Sequence, residues 1–235
     1  MSAMKLIVNF NHPTNGAPIP YDHQYMVYSG ILKCLSSVDS GLSDDIHSGA
    51  GAPSFVMSQL LRAGEKTFDV DGLFAERFVL LIASRNVSVL DKMREGLLKC
   101  GEIQLGKQRL PFHSAEIARE SSVGSMPQLV TKSPVVIKSD GRFIRSDSKD
   151  FVNALKDNIC RKYVAISGEP APQIRFLRIV ESKPKACRVG STKIPCTHLK
   201  MVIDSDPRLI ECMLTNGVGS KNQLGFGYIE DARSP

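Results

Sequence analysis

The segment Gly217-Val-Gly-Ser-Lys-Asn-Gln-Leu-Gly-Phe-Gly-Tyr-Ile-Glu230, GVGSKNQLGFGYIE, decides how this 235-residue chain is read. Four glycines in eleven residues give the backbone access to positive φ and let it approach a ligand closely, and Lys221 adds charge. The segment is not a P-loop, which requires GxxxxGK[ST]; here Ser220 follows Gly219. Nor is it the dinucleotide fingerprint, because Asn222 stands three positions after Gly219 and a short apolar run follows in place of a helix. What remains is an amide-rich turn leading into a final strand at a sheet edge or, more plainly, a tight connection whose glycines only permit packing.

Upstream, Asp206-Pro207 has the form of an N-cap followed by proline at the first helical position, opening a short helix through Leu214. Residues 175–180 and 198–203 alternate as strands around a proline-containing connection. Phe151, Leu155, Ile159 and Tyr163 recur at helical spacing, and Gly168, Pro170 and Pro172 end that helix. LVTKSPVVIKS at 129–139 reads as a strand with a hairpin turn at Asp140-Gly141. The first half repeats the plan. Residues 4–10 alternate as a strand, and Tyr21, Tyr25, Tyr28, Leu32 and Leu35 form one stripe of a helix over 21–38. A Gly/Ser/Ala-rich passage, GLSDDIHSGAGAPS, leads to strand-like runs at 55–61 and 76–84. Val87, Leu90, Met93 and Leu97 mark a helix over 87–99 stopped at Gly101, followed by a strand at 102–110 and an extended piece at 112–119. Each half therefore runs β-α-β-β-α-β, the ferredoxin-like order that also underlies RNA-recognition domains. The expected fold is α+β, with two tandem ferredoxin-like domains at 1–124 and 125–235. That order serves metabolic enzymes, metal chaperones and RNA binders alike, so it assigns no function.

Composition narrows the classes. With 42% hydrophobic and 23% charged residues the chain can bury a core, and no apolar run is long enough for a membrane helix or a secretory leader, so a cytoplasmic location is expected. Aromatics are scarce and Trp is absent, which argues against a platform of stacked rings for single-stranded nucleic acid. The six cysteines include no CxxC pair. Cys187, Cys196 and His198 fall short of a four-ligand set, and neither metal nor cofactor is expected. Charge is the informative feature. The net is +6, but residues 1–124 carry 12 basic and 13 acidic side chains against 18 and 11 in residues 125–235. Within 175–200, Arg175, Arg178, Lys183, Lys185, Arg188, Lys193 and Lys200 face Glu181 alone. Such a local field favours polyanion partners.

These features together resemble a known family. GVGSKNQLGFGYIE is similar to the C-terminal glycine-rich signature of the CRISPR-associated repeat-processing endoribonucleases, the Cas-six group of the RAMP superfamily. IPYDHQYMVYSGIL at 19–32 resembles that family's first helix, and LVTKSPVVI at 129–137 the strand opening its second domain. KDNICRKYVAISGEPAP at 156–172 and the Lys-Pro-Lys run at 183–185 stand in the expected order. The resemblance implies two ferredoxin-like domains, CRISPR repeat RNA as partner, and one metal-independent cut that releases guide RNAs from a precursor. A monomer or homodimer in a prokaryotic cytoplasm, working alone or with other CRISPR effector subunits, fits the same picture.

Metal-free RNA cleavage uses the substrate's own 2′-hydroxyl as nucleophile, leaving a 5′-hydroxyl and a 2′,3′-cyclic phosphate. The protein must align that hydroxyl, stabilise the phosphorane charge and protonate the leaving 5′-oxygen. His47, in DDIHSGAG, stands where the family places its general acid/base histidine and is the candidate imidazole. His23 lies among helical tyrosines and is expected to be a structural hydrogen-bonder. Many active members add a tyrosine late in the first helix and a lysine beyond the histidine; here those positions read Leu32 and Ala52-Pro53-Ser54, so Tyr28 and Lys33 are the candidate substitutes. For RNA binding the candidates are Gly217, Gly219, Ser220, Lys221 and Asn222 with their amides. Arg175, Lys183, Lys185, Arg188 and Lys193 are the candidates for stem phosphates. A non-catalytic repeat-RNA-binding subunit is the alternative.

Overall fold

The computed structural model describes residues 4–13, 15–49, 55–68, 71–119 and 123–233. In the first sheet, β1 (Met4–Asn11) lies between β4 (Leu73–Ser84) and β6 (Gln108–Arg119), antiparallel to both. Strands β2 (Val56–Met57) and β3 (Leu61–Phe68) pair along the far side of β4, and β5 (Glu102–Leu105) along β6. Helices α1 (Gln24–Ser36) and α3 (Val87–Cys100) make the two crossovers. Strand alternation selects the covered face. Leu6, Val8 and Phe10 are fully buried in one cluster with Val27, Ile31 and Leu35 of α1 and Leu90, Met93 and Leu97 of α3. Each such side chain contributes about 1.5–3 kcal/mol of burial, while Lys5, Ile7 and Asn9 take the opposite face.

The second sheet has the same plan. Strand β7 (Gln128–Thr131) lies between β11 (Thr192–Asp204) and β12 (Ile229–Asp231), and β10 (Phe176–Val189) flanks β11. Helices α4 (Phe151–Ser167) and α5 (Pro207–Asn216) cover the face that carries Leu129, Leu199, Met201 and Ile203. A small hairpin, β8 (Ile137–Ser139) and β9 (Arg142–Ile144), turns through Asp140 (φ 48°) and Gly141 (φ 78°), the two-residue turn that Asp-Gly favours. The tandem ferredoxin-like fold expected from the element order is the fold observed.

The two halves meet through their helix-free faces. Lys5 Nζ of β1 donates to Glu230 Oε1 of β12 at 2.9 Å, and Lys132 approaches the other carboxylate oxygen at 3.5 Å. Tyr228, fully buried, packs with Val56, Leu81 and Ala83 of the first sheet.

Several elements differ from the sequence expectation. The first helix begins at Gln24 rather than 21, because residues 21–22 form a turn. The passage read as a Gly/Ser/Ala-rich connection contains α2 (Ser40–Ser48), with the Asp39 side chain accepting from Leu42 N–H at 2.9 Å and Ile46 buried beneath it. The strand at 102–110 breaks at Gly106 (φ 64°) into a β5–β6 hairpin. The strand at 129–139 stops at Thr131, ahead of Pro134. The proline-containing connection is in fact continuous strand, with Pro184 opposite Thr197 and Pro195 opposite Ala186 in one long β10–β11 hairpin. Proline is tolerated there because β10 is an edge strand and β11, outside its pairing with β7 at 200–202 and a single bridge from Thr197 to Val135, has no further strand beside it, which leaves N–H positions that need no partner.

Candidate nucleic-acid interface

The glycine-rich loop is built inward. Asn222, buried, donates from Nδ2 to the carbonyls of Val218 and Phe226, both at 3.0 Å. Lys162, on α4, donates from Nζ to Asn222 Oδ1 (2.6 Å), Gly217 O (2.8 Å) and Asn216 O (3.3 Å). Burial pulls the Lys162 ammonium down from the usual lysine range to about 7. The Gly219 amide donates to Asn158 Oδ1 at 2.7 Å, Val218 N–H to Gly227 O at 2.9 Å and Ser220 N–H to Val136 O at 2.8 Å. The Gly219 amide and the Asn222 side chain, both candidates for RNA, are thus engaged within the loop itself. These groups hold the loop together, and the plainer reading of the glycines as packing devices describes this part.

What the loop turns outward is Lys221, exposed, beside half-buried Ser220. Lys221 has φ 64°, a left-handed conformation that costs a side-chain-bearing residue roughly 1 kcal/mol.

The five basic candidates upstream do not form one surface. Cross-strand partners share a face, so Lys183 (opposite His198) and Lys185 (opposite Cys196) lie on the helix-free face of the sheet. Arg188 and Lys193 oppose each other on the other face. Arg175 stands at the far end of the hairpin, held by a bidentate pair with Asp204 that depresses the Asp204 carboxyl. Lys183 pairs with Glu181 at 2.7 Å, and Lys185 and Lys193 have no ion-pair partner among the described residues. The hairpin also touches the first half: Arg188 N–H donates to Asp22 Oδ1 at 3.0 Å.

His47 is exposed in the last turn of α2, not in a loop, ahead of Gly49 at φ 65°. Tyr28 is buried at 8% exposure in the α1 core and its phenol is raised, first by burial and then by Tyr25. Lys33 is exposed, and Leu32 lies in the same core as Tyr28. No hydrogen bond joins His47, Tyr28 and Lys33. Ala52, Pro53 and Ser54 lie outside the described residues. His23 behaves as expected of a structural hydrogen-bonder. Its Nε2 accepts from Leu60 N–H at 3.1 Å, which leaves Nδ1 to donate to Pro20 O at 2.9 Å. Burial holds this ring neutral, with a pKa of about 4. Sequence reasoning missed Lys162, since a lysine on an amphipathic helix carries no mark of the loop it will hold.

Two family models meet the chain end to end: CRISPR-associated protein Cas6, N-terminal, over residues 18–116, and CRISPR associated protein Cas6, C-terminal, over residues 118–230. The chain belongs to the Cas6 family. It is 25% identical over 222 residues to the CRISPR-associated endoribonuclease Cas6 of Pyrococcus furiosus, covering 90% of this chain and 83% of that protein. It is 26% identical over 227 residues to the CRISPR-associated endoribonuclease Cas6 1 of Methanocaldococcus jannaschii, covering 92% and 88%. In fold it resembles a structure described as an RAMP protein binding different RNA substrates, with a TM-score of 0.86 at 22% identity, covering 98% of this chain and 100% of that one. A Cas6 product complex superposes with a TM-score of 0.71 at 13% identity, covering 98% and 99%.

Proposed function

We propose that this Cas6-family chain is a metal-independent endoribonuclease that binds CRISPR repeat RNA and cuts it once within the repeat. The observation that supports this most is the match to both Cas6 models across a fold whose second half presents Lys185, Lys193 and Lys221 as exposed cations. Residues 125–235 hold the RNA, and residues 1–124 supply the cleavage group. The long hairpin and Lys221 neutralise backbone phosphates and fix the register of the strand. Bound in this way, the 2′-hydroxyl beside the scissile bond is aligned for in-line attack on its own phosphate. The P–O5′ bond breaks as the P–O2′ bond forms, leaving a 2′,3′-cyclic phosphate; the 2′-hydroxyl gives up its proton to water, and the departing 5′-oxygen takes a proton to become a hydroxyl. The His47 imidazole, exposed at the end of α2, moves that proton.

The test is incubation of the purified protein, in EDTA, with the repeat RNA of its own genome, beside His47→Ala. The expected result is a single cut with a cyclic-phosphate end in the unmodified protein. In His47→Ala the rate falls by about 10²–10⁴-fold with RNA affinity nearly unchanged. Equal cutting by both proteins would remove His47 from the role.

One observation favours a second reading, a repeat-RNA-binding subunit without cleavage. Leu32 is a core residue at the position of the family's supporting tyrosine, and Tyr28 is buried beside it. A Pyrococcus horikoshii relative, 23% identical, is named an endoribonuclease-like protein, Cas6nc. Binding without cutting would establish that reading.

A further inference from the structure

Beneath the outer part of the β10–β11 hairpin lies a cleft of about 510 Å³ that the loop and His47 do not use. Its floor is one face of the hairpin, where the cross-strand pairs Pro184–Thr197 and Ala186–Pro195 stand side by side. Its far wall is apolar, made by Val135, Ile144 and Phe151, the first residue of α4. The rim is cationic. Arg145 is bound by both oxygens of Asp147, at 3.1 and 2.8 Å, whereas Lys185 and Lys193 are exposed with no carboxylate partner among the described residues.

An apolar slot with a few charged groups at its mouth suits a ligand that is flat and apolar at one end and anionic at the other. A paired A-form helix presents its phosphates outward and cannot enter such a slot; an unpaired nucleotide with its base turned out can. We propose that this cleft takes one unpaired nucleotide of the bound RNA, its base seated against Ala186, Pro195 and Ile144 and its phosphate at Lys193, which shares the face of Ala186 and Pro195. The proposal rests on the RNA-binding reading above and adds a base-accepting site to it. It also gives Lys193, on the face of the hairpin opposite Lys183, a phosphate of its own.

The test is an abasic scan. Repeat RNAs with the base removed at each unpaired position in turn are titrated against the wild-type chain and against Ala186→Leu, which fills the slot from an exposed position. At one unpaired position, base removal should weaken wild-type binding by about 10- to 100-fold. Ala186→Leu should bind intact RNA with that same deficit and lose nothing more on the abasic RNA. Lys193→Ala, which disturbs no core, should couple to the same position, its penalty shrinking on the abasic RNA. Abasic penalties that are identical in all three proteins would overturn the proposal while leaving RNA binding intact. Absence of repeat binding by the wild type would instead bring down the RNA reading and this one with it.

Discussion

A Cβ built on Gly227 would lie 1.9 Å from the carbonyl oxygen of Val218, a backbone atom with nowhere to go, and φ there is +71°. Gly227→Ala is expected to cost on the order of 3 kcal/mol or more, read as a lower urea midpoint with unchanged slope. His23 makes a prediction of a different kind. Its folded pKa of about 4 lies below the ordinary 6.5, so the unfolded chain binds the proton more readily. The contribution of this ring is complete above about pH 6.5, falls as the pH drops through 6.5 towards 4, and levels off below that. The loss amounts to roughly 3 kcal/mol. Urea titrations between pH 7.5 and 4 should show it, and His23→Gln, which keeps an acceptor for Leu60 N–H, should lack this part of the slope.

Helix α4 and the glycine-rich loop are joined by the Lys162 ammonium, so disturbing one side chain should loosen a whole segment. Lys162→Met keeps the length but leaves three acceptors without a donor, at a cost of about 2 kcal/mol or more. Amide exchange in residues 217–227 should speed up and repeat affinity should fall, whereas Lys162→Arg should restore part of both. The wild type should also gain stability as pH rises from about 7 towards 10.5, where the unfolded lysine still holds its proton and the buried one does not; the Met variant should lack that rise. Much of the element plan was legible because its signals are local: apolar spacing in α1, α3 and α4, the Asp140-Gly141 turn, and the Asp206 cap, whose side chain does accept from Arg208 N–H at 2.8 Å. Helix α2 carried a readable signal too, Asp39 ahead of Leu42 and Ile46, obscured by the small residues around it. What was not legible depends on distant partners. Lys162 meets Gly217 across 55 positions of sequence. The division of the basic cluster between two faces follows from strand register, which shifts between Ile179 and Glu181.

The whole molecule presents its excess of positive charge on one half, and the consequence is measurable as a salt dependence. Each phosphate neutralised should add about 0.7–0.9 to the slope of log affinity against log salt. Lys221→Ala should reduce that slope by about one and weaken binding several-fold at moderate salt. A result in which affinity falls but the slope stays would mean that Lys221 shapes the loop without meeting a phosphate. The contact that closes the molecule has a further consequence. Lys5 and Glu230 are 225 residues apart, and the patch of Val56, Leu81 and Ala83 is capped by Tyr228. At ordinary rates of translation, about 5–20 residues per second, β1 leaves the ribosome roughly 10–45 seconds before its partner. Throughout that interval the first domain displays a naked apolar patch and a lysine awaiting its carboxylate, a window in which a chaperone has something to hold. The seam closes only once residues 217–230 have followed and brought Tyr228 and Glu230 to it.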